Sequence, residues 1–255
     1  MGVAEKDLPT TRISEYLITP TPYFEGKDKK FKTEASLILK AIEPGIELYY
    51  NQVSLYGKPA ANGFRKYSKP FLIKNSATVY AYAMKNGQKS KRVMQHFYRI
   101  PEDKIVQVLS PVNPLYTAGG PDALIDGITG EANYRTGEWQ SYEGTDFEAL
   151  IDLKKRKPVT YVAAHFLQDV GSWIWMPAKV IFEASEDNIH FTLLGEVNNT
   201  VSDKTYNPSV KEFGVKTNLL ARYIRVKAIN YGKIPDWHAG KGGDAHIFID
   251  EVIIK

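Results

Sequence analysis

Cysteine is absent from the sequence, and with it go disulfides, thiolate nucleophiles and cysteine-ligated zinc. No apolar run approaches the roughly 20 residues that a membrane-spanning helix needs. The opening residues, Met1-Gly2-Val3-Ala4-Glu5-Lys6-Asp7, are too polar for a secretory leader, so the chain reads either as cytoplasmic or as a piece of a longer exported protein. Charge of one sign is also lacking: 33 Lys and Arg face 29 Asp and Glu, a net +4. No long basic stripe interleaved with aromatics appears, which argues against a nucleic-acid partner. The run Lys154-Lys155-Arg156-Lys157 stops at Pro158 and reads as a solvated turn. The 5 histidines form no His-x-x-x-His pair, and no glycine-rich phosphate loop leads from a strand into a helix. Sustained helical periods are missing too, so a (β/α)8 barrel is excluded although the length would allow one.

What is present is β structure. Hydrophobic residues make up 43% of the chain, enough for a packed core, and the 16 tyrosines against 4 methionines favour strands and binding surfaces. Ser36-Leu37-Ile38-Leu39-Lys40-Ala41 and Ile46-Glu47-Leu48-Tyr49-Tyr50 are short apolar runs split by the turn signal Glu43-Pro44-Gly45. Ala77-Thr78-Val79-Tyr80-Ala81-Tyr82-Ala83-Met84 alternates small and large side chains, and Asn86-Gly87 beyond it predicts a hairpin. Residues 16–100 therefore read as a small β-sandwich after an N-terminal linker at 1–15. Residues 101–116, punctuated by Pro101, Pro111 and Pro114, read as a linker. A second β domain spans 117–255, with strands predicted at 147–153, 159–166, 180–184, 191–197, 223–228 and 246–254.

The candidate binding residues sit mostly in that second domain. Pro235-Asp236-Trp237-His238-Ala239-Gly240-Lys241-Gly242-Gly243 is too rich in glycine to be a strand, and loops on rigid β scaffolds are where binding surfaces are built. An indole beside hydrogen-bonding groups suits a sugar, which offers apolar C–H faces and hydroxyl edges. Trp237 is the expected stacking platform, with His238, Asp236, Arg135 and Asn133 as hydroxyl-binding candidates; the alternative for each is ordering its own loop. Trp173 and Trp175 lie two apart and share a face if extended, where they either pack on the sandwich or meet ligand. Trp139 is expected in the core. Asp250-Glu251 is set aside as a catalytic pair, because consecutive strand residues point to opposite faces.

Four fragments carry a resemblance to a known family: Ala123-Leu124-Ile125-Asp126-Gly127 with Trp139 downstream, Val180-Ile181-Phe182-Glu183-Ala184-Ser185-Glu186-Asp187, Ala221-Arg222-Tyr223-Ile224-Arg225-Val226, and Ile249-Asp250-Glu251-Val252. In this order, residues 117–255 resemble a discoidin, or coagulation factor 5/8 C-type, domain of the kind found as family 32 carbohydrate-binding modules in bacterial glycoside hydrolases. Gly171-Ser172-Trp173-Ile174-Trp175 and Pro235-Asp236-Trp237-His238 resemble the C-terminal tails of family 20 β-hexosaminidases. Residues 16–100 resemble the Ig-like or fibronectin-like domain that follows the catalytic barrel in chitobiases, through Gly45-Ile46-Glu47-Leu48-Tyr49-Tyr50, Tyr67-Ser68-Lys69-Pro70-Phe71 and Ala81-Tyr82-Ala83; Asn51-Gln52-Val53 departs from the usual Asp-Gly turn.

The resemblance implies an all-β chain, an Ig/fibronectin-like sandwich followed by a discoidin-like jelly roll. It implies a non-catalytic tail of a secreted glycoside hydrolase, extracellular or periplasmic, that binds a terminal monosaccharide of galactose or N-acetylhexosamine type. The other reading is a module that only packs against the catalytic domain of the parent enzyme. It further implies a structural Ca²⁺ held by Asp126 and Glu251. Ile128-Thr129-Gly130 breaks the usual ligand spacing after Asp-Gly, which leaves Asn133 and Thr136 as the nearby oxygens.

Overall fold

The computed structural model describes residues 18–26 and 29–255; the expected linker 1–15 lies outside them. The chain divides into two compact units, Met1–Arg99 and Ile100–Lys255. Among the described residues there is no α-helix, only strands and short 3-10 turns, as the all-β expectation required. No helix among them is long and apolar enough to cross a membrane.

The first unit holds β1 (Tyr23–Glu25), β2 (Lys30–Phe31), β3 (Ala35–Lys40), β4 (Glu47–Ser54), β5 (Arg65–Lys66), β6 (Phe71–Ile73), β7 (Ala77–Lys85), β8 (Gln88–Lys89) and β9 (Val93–Arg99). They form a three-stranded sheet ordered β1-β3-β6 and a six-stranded sheet ordered β2-β9-β7-β4-β5, with β8 on β7. The alternation in β7 does what it predicts: Ala77, Val79, Ala81 and Ala83 are buried against Leu37, Leu48 and Phe97, while Tyr80, Tyr82 and Met84 face the other way. Asn86 and Gly87 both take positive φ, the backbone that a two-residue hairpin needs between β7 and β8.

The second unit is built from β10 (Ile105–Val108), β11 (Gln140–Glu143), β12 (Phe147–Gln168), β13 (Lys179–Ser185), β14 (Thr192–Asn198), β15 (Ser209–Ile229) and β16 (His246–Ile254). The expected linker 101–116 contains β10, which pairs antiparallel with β12 from Ile105↔Asp152 to Val108↔Ala149 and buries Val106. Four residues flanked by prolines and a charged turn carry too little periodicity to announce a strand.

The two strands predicted at 147–153 and 159–166 are one strand, β12. It is bent where its pairing with β15 slips between Asp152 and Lys157. The slip falls on the basic run, with Lys154 at φ 62. Before the bend β12 lies between β10 and the end of β15; after it, between the start of β15 and β16. A bulge lets a strand turn such a corner and serve two layers. The result is a jelly roll whose core draws Phe147, Ile151, Phe166, Phe182, Ile224, Val226, Ile247 and Val252 into one cluster.

This topology gathers three loops at one end. Gln168 pairs with Ser209 and Lys179 with Ile229, while Ile174 bridges to His246. Loops 169–178, 199–208 and 230–245 therefore emerge side by side.

Candidate functional site

Trp237 stands at that end, 39% exposed, with its ring centroid 6.4 Å from that of Tyr206 at 66°. Tyr206 is 54% exposed. Beneath them, His238 stacks on Tyr206 at 6.1 Å and meets Trp175 edge-on at 5.2 Å. Trp175 in turn stacks on Tyr231 at 5.3 Å and donates its indole N–H to the carbonyl of Asp203. Tyr231 donates its hydroxyl to Asp203 Oδ2 at 2.8 Å. Two exposed rings are thus anchored by three buried or half-buried ones from loops 169–178 and 230–245, with Asp203 of the third loop accepting from two of them.

His238 was expected to bind a hydroxyl, but it is buried. Its Nδ1 accepts the N–H of Gly240 at 3.0 Å, which leaves the ring's proton on Nε2. It props the loop that presents Trp237. Asp236 is exposed and paired with Lys241 at 3.2 Å.

Trp173 does not share a face with Trp175. It takes φ 65 and ψ 25 at the end of the turn Val170–Ser172, a left-handed conformation that strains a bulky residue. That conformation turns its indole away from the buried Trp175 and leaves it 42% exposed. The indole lies against Gly240, where a Cβ would come within 2.6 Å of it. The glycines of the 230–245 loop are therefore seats for an aromatic ring as well as turn residues. Gly240→Ala is expected to unseat Trp173, red-shift the tryptophan emission and change the unfolding free energy by about 1 kcal/mol; an unaltered spectrum would show the seat to be unimportant.

Arg135 and Asn133 belong to another turn. Asn133 Oδ1 caps the turn Tyr134–Thr136 by accepting the N–H of Arg135, and the Arg135 guanidinium covers the Tyr134 ring at 4.2 Å. Tyr134 packs on Phe248 and Tyr116. That packing puts the turn in one apolar cluster with Ile174 of the 169–178 loop. Thr136 donates its hydroxyl to the Asn133 carbonyl at 2.8 Å, so the two oxygens considered for a metal are engaged in their own turn.

Asp126 and Glu251 do come together. Glu251 Oε2 accepts the N–H of Gly127 at 3.0 Å, and Asp126 Oδ1 accepts that of Ile128 at 2.8 Å. Asp250 joins them, against the expectation of opposite faces. The pairing of β12 with β16 slips so that His165 opposes Glu251 while Phe166 opposes Ile249. Asp250 is the extra residue of a bulge, and both neighbouring carboxylates reach the same loop. Asp250 accepts the N–H of Gly130, and both its oxygens lie 2.9 Å from His165 Nδ1.

Burial pushes the Glu251 carboxyl up to about 8, against the Gly127 N–H that favours its charged form, with the Asp126 and Asp250 charges adding to the rise. Burial raises Asp250 as well, in spite of His165. Gathered buried carboxylates are costly unless protonated or met by a cation. Asp126 and Glu251 offer the hard oxygens that calcium takes, and both reach the 126–128 loop from buried positions where a cation would serve in place of a proton, so the pair fits that ion. No group of three His, Cys, Asp or Glu at metal-holding distance occurs among the described residues. The remaining ligands would have to be carbonyls, hydroxyls or water.

Tyr206 and Lys204 escaped the sequence reading. Both lie in a polar loop, Ser202-Asp203-Lys204-Thr205-Tyr206-Asn207-Pro208, whose approach to Trp237 depends on strand pairing far away in sequence.

Residues 109–242 match the F5/8 type C domain family. Among solved structures, the chain is similar to the C-terminal domain of a chitobiase from Bacteroides fragilis, at 19% identity over 60% of this chain and 97% of that one, with a TM-score of 0.37. It is similar to a fucose binding module of Streptococcus pneumoniae, at 20% identity over 62% and 91%, TM-score 0.39. A third is CBM32-3 from a family 31 glycoside hydrolase of Clostridium perfringens, at 14% identity over 60% and 90%, TM-score 0.39. No curated protein matches the sequence.

Proposed function

Because the chain belongs to the F5/8 type C domain family, which matches over half of it, we propose that its second unit binds terminal sugars of glycans, of galactose or N-acetylhexosamine type, through the loops bearing Trp237, Tyr206 and Trp173. The observation that carries this reading is the pair of exposed rings, Trp237 and Tyr206, held at a fixed angle over the buried His238. A prearranged aromatic surface gives up little side-chain entropy on binding. Polar groups at its rim supply directional contacts to hydroxyls.

The chain on this reading is the non-catalytic part of an exported glycoside hydrolase of hexosaminidase type, extracellular or periplasmic. Its first unit corresponds to the Ig-like domain and its second to the carbohydrate-binding module, with a structural Ca²⁺ at Asp126 and Glu251. Tethering an enzyme to its glycan raises the local substrate concentration even when each contact is weak.

Isothermal titration with galactobiose and diacetylchitobiose, beside a glycan array, tests the reading. Trp237→Ala is expected to weaken binding at least about tenfold, the stacking energy of one ring, while the melting temperature stays within a few degrees because the indole is half in solvent. Silence across the array would leave Trp237 and Trp173 as a docking face for the catalytic domain.

A further inference from the structure

The charged groups around Trp237 are unevenly committed. Lys204 Nζ lies 5.7 Å from the centroid of the Trp237 ring and forms no ion pair among the described residues. Its sequence neighbour Asp203 is engaged by the Tyr231 hydroxyl through Oδ2. Asp236, next to Trp237, is engaged by Lys241 at 3.2 Å. The nearby His238 has its Nδ1 occupied by the Gly240 N–H, so its remaining ring nitrogen is a donor. Each of these carboxylates has one oxygen engaged, whereas Lys204 holds a full positive charge over the indole with no ion-pair partner among the described residues.

That arrangement discriminates among sugars. A neutral ring stacked on Trp237 would strip water from the Lys204 ammonium and return only hydroxyl contacts. A ring with a carboxylate or sulfate would return a charge-assisted hydrogen bond in place of the lost hydration. Lysine's long flexible stem lets the ammonium follow the anionic group to the ring's edge while its methylenes stay on the indole.

We infer that the Trp237 platform selects anionic sugars, a uronate or a sulfated hexosamine, with Lys204 as the residue that reads the charge. This rests on the sugar-binding reading of the same loops and narrows its ligand class.

Titration calorimetry of the whole chain with tetra-galacturonate (carboxylate) and a chondroitin-sulfate tetrasaccharide (sulfate and carboxylate), against galactobiose and diacetylchitobiose, tests it. The acidic ligands are expected to bind at least about fivefold more tightly, the worth of one partly exposed ion pair. Their affinity should fall as salt rises. Lys204→Met, which keeps an apolar stem on Trp237, is expected to collapse the acidic-to-neutral affinity ratio toward one. Lys204→Glu should invert it, and Lys204→Arg should restore it. Preference for only the sulfated tetrasaccharide would identify sulfate as the group read, and preference for both would point to the carboxylate. If neutral sugars bind as tightly as acidic ones and Trp237→Ala abolishes both, charge selection is wrong while the platform stands. If none of the four ligands binds, the platform reading falls and charge selection with it.

Discussion

Truncating Trp139 to alanine is expected to lower the unfolding free energy of the Ile100–Lys255 unit by about 4 kcal/mol, the range for removing a large core aromatic. The indole is fully buried with Leu167, Ile174 and Phe248. It fills the space above Gly130, where a Cβ would come within 2.5 Å of the ring. It stacks on His165 at 5.8 Å and donates its N–H to the Glu131 carbonyl at 3.1 Å. His165 holds Asp250, and Asp250 holds Gly130. One side chain therefore closes a ring of contacts around the loop that carries Asp126, and its loss leaves both a cavity and a slack loop. All four tryptophans, Trp139, Trp173, Trp175 and Trp237, lie in this unit, so urea titration followed by tryptophan emission reports it without interference from the other. Trp139→Phe should recover a good part of the loss. A cost below about 1 kcal/mol would mean that the site collapses around the gap and that the ring of contacts is not structural.

Calcium is expected to change both the stability and the pH response of the same unit. In chelator, Glu251 has a folded-state pKa of about 8 against an ordinary 4.5. A carboxyl raised in this way contributes stability that is complete below about pH 4.5 and is lost as pH rises through about 8. A gap of that size is worth a few kcal/mol. The metal-free unit should therefore melt at progressively lower temperature between about pH 5 and pH 8. The calcium-bound form needs the ionised carboxylate, so binding expels the proton, and affinity should grow over the same interval. At a hundredfold excess over the dissociation constant, calcium adds about 2.7 kcal/mol. Glu251→Gln keeps an acceptor for the Gly127 N–H and should abolish the calcium shift together with most of the pH slope. Differential scanning fluorimetry in chelator and in calcium, at both ends of the interval, measures all of this. Identical melting curves with and without calcium at pH 8 would sink the calcium site, while the slope in chelator stands or falls separately on the burial of Glu251.

Much of the fold was legible because its determinants are local. Strict alternation in 77–84 placed β7, Asn86-Gly87 its hairpin, and 246–254 its strand residue for residue. Two of the misreadings come from departures from regular pairing. The bulge that makes β12 one strand sits in a charged run that looks like a turn, and the bulge at Asp250 reverses the face of a residue whose neighbours obey the simple rule. Strand β10 is short, and only its partner β12 makes it a strand.

For the site, the sequence by itself determined which chemistry is present: four indoles, Trp237 among glycines, an Asp-Gly turn and a late glutamate, with no cysteine to suggest another route. Residue type and short-range spacing carry that information directly. Which groups meet was decided by the tertiary structure alone. Pairing across β12, β15 and β16 brings Tyr206 and Lys204 to Trp237, buries His238, and leaves Asn133 and Arg135 on a separate turn. Contacts between residues tens of positions apart follow from strand register, and a one-residue slip that the sequence does not announce redirects every side chain beyond it.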